Sequence, residues 1–384
     1  MRVVAHKSAA AARQYYAEGL KKEDYYSEKQ EVVGKWHGKA AEMLGLAGDV
    51  TPESFAALVE NLNPVTGEKL TPRTRAERRV GYDLNFHAPK SLSVMQALTG
   101  DQRIVAAFRE AVAETMAELE DRVATRVRKG GARGNRTTGN FAWAEFVHFT
   151  ARPVGGVPDP HLHVHAFTFN CTYDGVEKRW KAAELHDIKS DAPYAEASFH
   201  AKLAGKVAAL GYPVVQSPKG WEIAGVPKSV IEKYSRRTAQ IDEAAKKQGV
   251  TDAKAKDALG ALTREGKRQG LTREDLKREW NSRLNTEELQ ALHAVVRPAA
   301  EKKAVPIVTA REAMELAFEK CFAKDSVVVQ NRIVAEALRA SLGQVKADML
   351  RGEGDDRGGA AGRRRDGGGL EGVGVDHARR RHLL

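Results

Sequence analysis

Three histidines stand at alternate positions in HLHVH, so in a strand His161, His163 and His165 share one face while Leu162 and Val164 take the other. A fourth, His148, lies in the preceding strand-like run TTGNFAWAEFVHFT, where hairpin register can set it across from His163 or His165. Three neutral imidazoles at about 2.0–2.1 Å from a divalent ion form a site with open positions for substrate oxygens. His148, His163 and His165 are the expected ligands. His161, beside Pro160 at the start of its strand, is expected at the rim, touching phosphate or solvent. The plainer alternative is a solvated polar face, but burying three unpartnered imidazoles in an aromatic-rich strand is costly. Imidazole donors suit zinc, nickel, copper and manganese, and cellular abundance favours magnesium; magnesium or manganese is the expected working ion.

Tyr15, Tyr16, Tyr25 and Tyr26 are four of the nine tyrosines. A phenol with a pKa near 10 is a poor nucleophile at neutral pH unless a cation or base stabilises the phenolate. A metal on a non-bridging phosphate oxygen would supply that cation and stabilise the charge of an in-line attack. Such an attack exchanges one phosphodiester for a 5′-phosphotyrosine bond and a free 3′-hydroxyl, reversibly and without ATP. Taken alone, tyrosine pairs are more often core or interface aromatics; beside a histidine site the nucleophilic reading gains. Asp83, in GYDLNF, has three readings: acceptor of a ligating histidine's second N–H, acceptor of the phenolic proton, or ordinary strand-end aspartate.

The elements that must position these groups are short and mixed. RVVAHK reads as a strand, followed by a helix from Ser8 that carries Tyr15 and Tyr16 and stops at Gly19; Tyr25 and Tyr26 follow on a loop or loose turn. Thr51-Pro52 opens a helix to about Leu62, VGYDLNF alternates as a strand, and a helix from Pro89 closes at Gly100. A long amphipathic helix is expected from Asp101 to about Arg128, ending at Gly130-Gly131. TTGNFAWAEFVHFT and HLHVHAFTFN form a hairpin around RPVGGVPDP, and further helices make a mixed α+β layer. Residues 1–300 read as the main domain and 301–350 as a helical module with Thr309 at its N-cap. The tail at 351–384 is rich in glycine and arginine and is expected to be disordered, as a nucleic-acid-binding tail or an out-of-frame continuation.

The chain has 384 residues, 42% of them apolar, enough for one large domain or two smaller ones. Its net charge of +11 favours a polyanionic partner, since each bound phosphate releases counterions from nucleic acid. Arg73, Arg75, Arg128, Arg133, Arg136, Arg236 and Arg237 are the candidate DNA contacts, although each cluster singly reads as well as a solvated face. Cys171 and Cys321 are too few and too far apart for a disulfide framework or a paired-thiolate zinc site. With no apolar run of roughly 18 residues and no signal-peptide centre, the protein is expected in the cytoplasm.

Taken as an ordered set, the tyrosine pairs, KWHGKAAEMLGL, GYDLNFHAPKSLS, TTGNFAWAEFVH, DPHLHVHAFTFN and YSRRTAQI resemble the MobF class of conjugative relaxases (the TrwC/TraI type), a branch of the HUH endonuclease superfamily. The resemblance covers roughly residues 1–295. It implies an α+β fold with a central antiparallel sheet flanked by helices and a palm-like cleft for single-stranded DNA beside a hairpin at an origin of transfer. It implies Tyr15 as nucleophile of the initial nick and Tyr25 of the second transfer, with Tyr16 and Tyr26 beside them. His148, His163 and His165 fall on the metal ligands and Asp83 on the family's aspartate, while His161 falls where the family often has glutamine. Relaxosome accessory proteins and a coupling protein are the implied protein partners. The chain carries no G-x-x-x-x-G-K-[ST] phosphate loop, so the helicase half common in this class is not expected from these residues. Two rivals stand beside this reading. A cupin- or oxygenase-type metalloenzyme calls for a carboxylate ligand soon after the histidines, which AFTFN does not offer; the other is an inactive remnant that binds origin DNA without turnover.

Overall fold

A computed structural model describes the chain apart from residues 21–31, 73–77, 130–131, 253–254, 257–258, 261–270, 296–307, 354–362, 366–370 and 375–384. The strands that matter most are β1 (Arg2–His6), β2 (Lys35–His37), β3 (Gly81–His87), β4 (Ala124–Lys129), β5 (Ala132–Thr137), β6 (Trp143–Thr150) and β7 (Pro160–Phe169). The first seven helices are α1 (Ala9–Tyr15), α2 (Lys39–Met43), α3 (Pro52–Val59), α4 (Lys90–Thr99), α5 (Gln102–Glu120), α6 (His186–Ser190) and α7 (Ala192–Ala209).

Five of the strands form one sheet in the order β1-β3-β7-β6-β2, every neighbouring pair antiparallel. The apolar residues of its first face, among them Leu84, Phe86, Leu162 and Val164, pack against Leu92 of α4, Phe108 and Val112 of α5 and Phe199 of α7. Its second face is divided. Phe146, Phe167 and Phe169 lie under Ala12 of α1, Tyr16, and Phe55 and Leu58 of α3, in a separate core. Along β7 the same face then continues as His165, His163 and His161, which those helices leave uncovered to form a cleft. One period-two pattern thus contributes both an aromatic floor and an imidazole row.

Gly81 is required where β3 meets β7, since a Cβ there would sit 2.5 Å from the Thr168 carbonyl oxygen. α5 keeps its buried stripe of Ile104, Phe108, Val112, Met116 and Leu119 but stops at Glu120, short of the expected Arg128. Ala124–Lys129 instead forms β4 and pairs with β5, because alternating Thr125 and Val127 favour an extended chain over another helical turn.

Thr309 caps the helix Ala310–Phe322 through a box with Glu312, as its sequence suggests. This helix and Gln330–Ser341 share a third core with Tyr194, Ala197 and Ala201 of α7, so the module rests on the main body. Gly343 makes that approach possible; a Cβ there would lie 2.3 Å from the Ala201 carbonyl oxygen. Among the described residues of the tail, Glu371–Gly374 pairs with Val327–Val329 and with Arg363–Arg365. Among the described residues no helix is long and apolar enough to cross a membrane.

Candidate active site

Ser8 caps α1 by accepting a hydrogen bond from the Ala11 amide, and the helix ends at Tyr15 in a single π-helical turn, Tyr16–Leu20. A helical step turns successive side chains by about 100°, which separates the tyrosine doublet. Tyr16 drops into the aromatic core, stacked on Phe55 with centroids 4.4 Å apart and edge-on to Phe146 at 5.8 Å. Its expected place at the reacting centre is therefore corrected: Tyr16 is a core residue. Tyr15 extends over the open half of the sheet.

There the Tyr15 hydroxyl donates to Asp83 Oδ2 at 2.5 Å and lies 3.1 Å from His165 Nδ1. His165 Nδ1 is in turn 2.7 Å from the same Asp83 oxygen. Asp83, 1% exposed, thus combines two of its three readings, facing the phenol and orienting a histidine. Burial pushes its pKa up, but the neighbouring His165 and hydrogen bonds from His165, Tyr15 and Asn85 outweigh that and hold it below the usual carboxylate value. Burial first, and then the charge of Asp83, drive the Tyr15 phenol far above its ordinary value, while Arg152 and Arg2 pull it down. The phenol as it rests is a protonated donor that needs added positive charge to become a nucleophile.

Register sets His148 directly across from His163 and, on the other flank, His87 across from His163 as well. Ring centroids are 5.1 Å apart for His148–His163, 5.2 Å for His148–His165 and 5.2 Å for His163–His165. His163 Nδ1 is 3.0 Å from the His161 carbonyl oxygen, and His165 Nδ1 faces Asp83, so each presents Nε2 as the atom for a cation. Burial holds the pKa of His163 well below its ordinary value, which keeps the ring neutral, as metal binding requires. The donor chemistry fits a divalent cation. Among the described residues no three His, Cys, Asp or Glu side chains already stand close enough around one point to hold an ion; His148 and His163 lie face to face, their planes 26° apart.

His161 is not at a rim. Its Nε2 lies 3.0 Å from His87 Nδ1, its ring stacks between His87 and His163, and burial holds its pKa well down. His87 was not singled out in the sequence, though it extends the Asp83, Asn85 alternation of β3 by one step; burial lowers its pKa to about 4. Lys90, at the start of α4, was also missed. Its amine donates to the Pro160 carbonyl at 2.7 Å, and burial lowers its pKa to about 8. These residues line a cleft of about 880 Å³ together with Arg2, Arg152 and Arg237.

The arginines divide. Arg237 lines the cleft, held by Gln240 Oε1 at 2.5 Å and the Gly260 carbonyl at 2.6 Å. Arg236 instead binds buried Asp159 at 2.7 Å and the carbonyls of Val154 and Val157, fastening the loop between β6 and β7. Arg136 is paired with buried Asp174 at 2.8 Å. Both are tied to buried acids within the protein. Arg128 is exposed on β4, and Arg133 lies opposite it on β5. Tyr25, Tyr26, Arg73 and Arg75 lie outside the described residues.

A TrwC relaxase family model matches residues 9–286. The multifunctional conjugation protein TraI of Escherichia coli (strain K12) is 33% identical over 298 residues, 74% of this chain, and the chain spans 16% of that relative's length. A metal-bound conjugative relaxase TrwC in complex with oriT DNA superimposes with TM-score 0.63 at 30% identity, covering 76% of this chain and 98% of the other. TrwC complexed with a 27-mer DNA comprising the recognition hairpin and the cleavage site gives TM-score 0.63 at 29% identity, covering 76% and 99%.

Proposed function

Since the chain belongs to the TrwC relaxase family, we propose that it nicks one DNA strand at an origin of transfer through attack of the Tyr15 phenol on a phosphodiester, and rejoins the strand at termination. The observation that carries this reading is the 2.5 Å contact of the Tyr15 hydroxyl with Asp83, beside His165 on the histidine face. In the step, Asp83 takes the phenolic proton, the Tyr15 oxygen bonds to phosphorus, the bond to the 3′ oxygen breaks and that oxygen takes up a proton from solvent, leaving a free 3′-hydroxyl and a 5′-phosphotyrosine link. Reversal restores the strand, because the bonds exchanged are of one kind. His148, His163 and His165 are the residues to hold a divalent cation, which when bound supplies a Lewis acid to a non-bridging phosphate oxygen. Arg2, Arg152 and Arg237 favour the phosphate backbone of a single strand in the cleft. Tyr25 is assigned the second transfer by likeness to the family. Action in the cytoplasm with relaxosome accessory proteins and a coupling protein completes the reading.

The test is incubation with an origin oligonucleotide carrying its hairpin, with Mg²⁺ or Mn²⁺, followed by a denaturing gel. A protein–DNA adduct that resists denaturation is expected from the native chain and not from Tyr15→Phe. Binding with no adduct identifies an inactive remnant; an adduct undiminished in Tyr15→Phe removes Tyr15 as nucleophile. Chelation by EDTA is expected to abolish the adduct and spare DNA binding.

A further inference from the structure

The strand β1 ends beside the phenol proposed above as the nucleophile. Its alternation places Arg2, Val4 and His6 on one face, and all three line the histidine cleft. Val4 stands across from Asp83, and His6 across from Gly81. The missing side chain at Gly81 leaves that ground to Phe167, whose ring a Cβ there would meet at 2.9 Å. His6 packs against two rings: its centroid lies 5.2 Å from that of Phe167 and 4.7 Å from that of Tyr15, the latter pair tilted by 32°.

The Nε2 of His6 is buried and has no hydrogen-bond partner among the described residues. An imidazole whose nitrogen is shut in this way makes its contribution through the face of the ring. Burial also lowers its pKa, against the raising effect of Asp83, and leaves the ring uncharged at neutral pH. Asp83 fixes one end of the Tyr15 phenol, gripping its hydroxyl at 2.5 Å. A ring held at its oxygen alone can still turn about its side-chain bonds, and the lone pair meant for phosphorus turns with it. A contact on the face removes that freedom.

We propose that His6 is a positioning residue for strand transfer: resting on Phe167, its ring sets the plane of the Tyr15 phenol so that the oxygen bound to Asp83 faces a phosphodiester in the cleft. This role rests on the nicking reaction proposed above and gives His6 neither a proton to move nor a contact with DNA. A displacement of about 1 Å at a reacting atom can cost on the order of 10²-fold in rate, so the face contact has reach enough to matter.

The native chain is compared with His6→Ala, His6→Phe and His6→Gln. Single-turnover adduct formation is followed at saturating origin oligonucleotide with Mg²⁺, beside DNA affinity and thermal melting. His6→Ala is expected to slow adduct formation by about tenfold or more with DNA affinity unchanged. His6→Phe keeps a flat ring without a titratable nitrogen and restores most of the rate; His6→Gln keeps polar atoms without a ring and does not. A native rate in His6→Ala, rescue by Gln and not by Phe, or a rate that merely follows melting temperature or DNA affinity across the variants overturns the proposal. Carbon-13 in the tyrosine rings gives a readout that needs no cleavage. The Tyr15 signal, assigned by its loss in Tyr15→Phe, is expected to move downfield in His6→Ala and to stay upfield in His6→Phe. Were the native chain to form no adduct, the nicking reading would fall while this signal still told whether His6 holds the phenol. A Tyr15 signal indifferent to His6→Ala refutes the role of His6 even where the adduct forms.

Discussion

Tyr15 and Asp83 hold one another at 2.5 Å with His165 alongside, so in the proposed reaction the phenol's position and its proton's destination are arranged before substrate arrives. Asp83→Asn keeps the shape but removes both the proton acceptor and the charge that orients His165; adduct formation is expected to fall by about 10²-fold or more, measured as a single-turnover rate. The same change has a stability signature. The folded pKa of Asp83 is depressed, so its contribution is present above the unfolded value of about 3.9 and is lost as pH falls through the folded value. Thermal melts from neutral to about pH 3 should show the native chain losing its advantage over Asp83→Asn only at the acid end. At this scale the sequence was legible where a pattern repeats: alternation in HLHVH put His163 and His165 on one face, and hairpin register brought His148 across. It was illegible for single residues. His87 carries no pattern by itself, the YY doublet hides the turn between neighbouring helical positions, and a run of arginines does not reveal that Asp159 and Asp174 lie waiting inside.

Elements transmit position to those residues through close backbone approach. Gly81 sits two residues before Asp83, and a methyl group there meets the Thr168 carbonyl at 2.5 Å and the Phe167 ring at 2.9 Å. Backbone cannot yield as a flexible side chain would, so Gly81→Ala is expected to destabilise the fold by about 2–3 kcal/mol and to lower adduct yield by shifting Asp83. Gly134→Ala, on β5 with nothing within 4 Å, is the control and should change stability by less than about 0.5 kcal/mol in a denaturant titration. The end of α5 was misjudged in the sequence for a physical reason. Helical periodicity through Val123 runs on into the alternating Thr125 and Val127 without a breaker, and only pairing with β5 decides between the two.

At the scale of the molecule, the α+β class and central antiparallel sheet expected by resemblance are present, while the seating of the C-terminal module was not legible. An apolar stripe on Gln330–Ser341 announces that the helix is covered, not that α7 covers it. Truncation after Val295 exposes Tyr194, Ala197 and Ala201; the shortened protein is expected to melt several degrees lower and bind a hydrophobic dye, yet still form its DNA adduct, because the cleft lies on other elements. The strand order β1-β3-β7-β6-β2 has a consequence in time. Among the described residues β1 pairs only with β3, and β3 is flanked by β7, whose last residue is Phe169. A ribosome adding about 5–20 residues per second therefore exposes the amino-terminal tyrosines on the order of ten seconds before the strands that seat Tyr15 emerge. Throughout that interval the phenol proposed as the nucleophile has none of its seating strands around it.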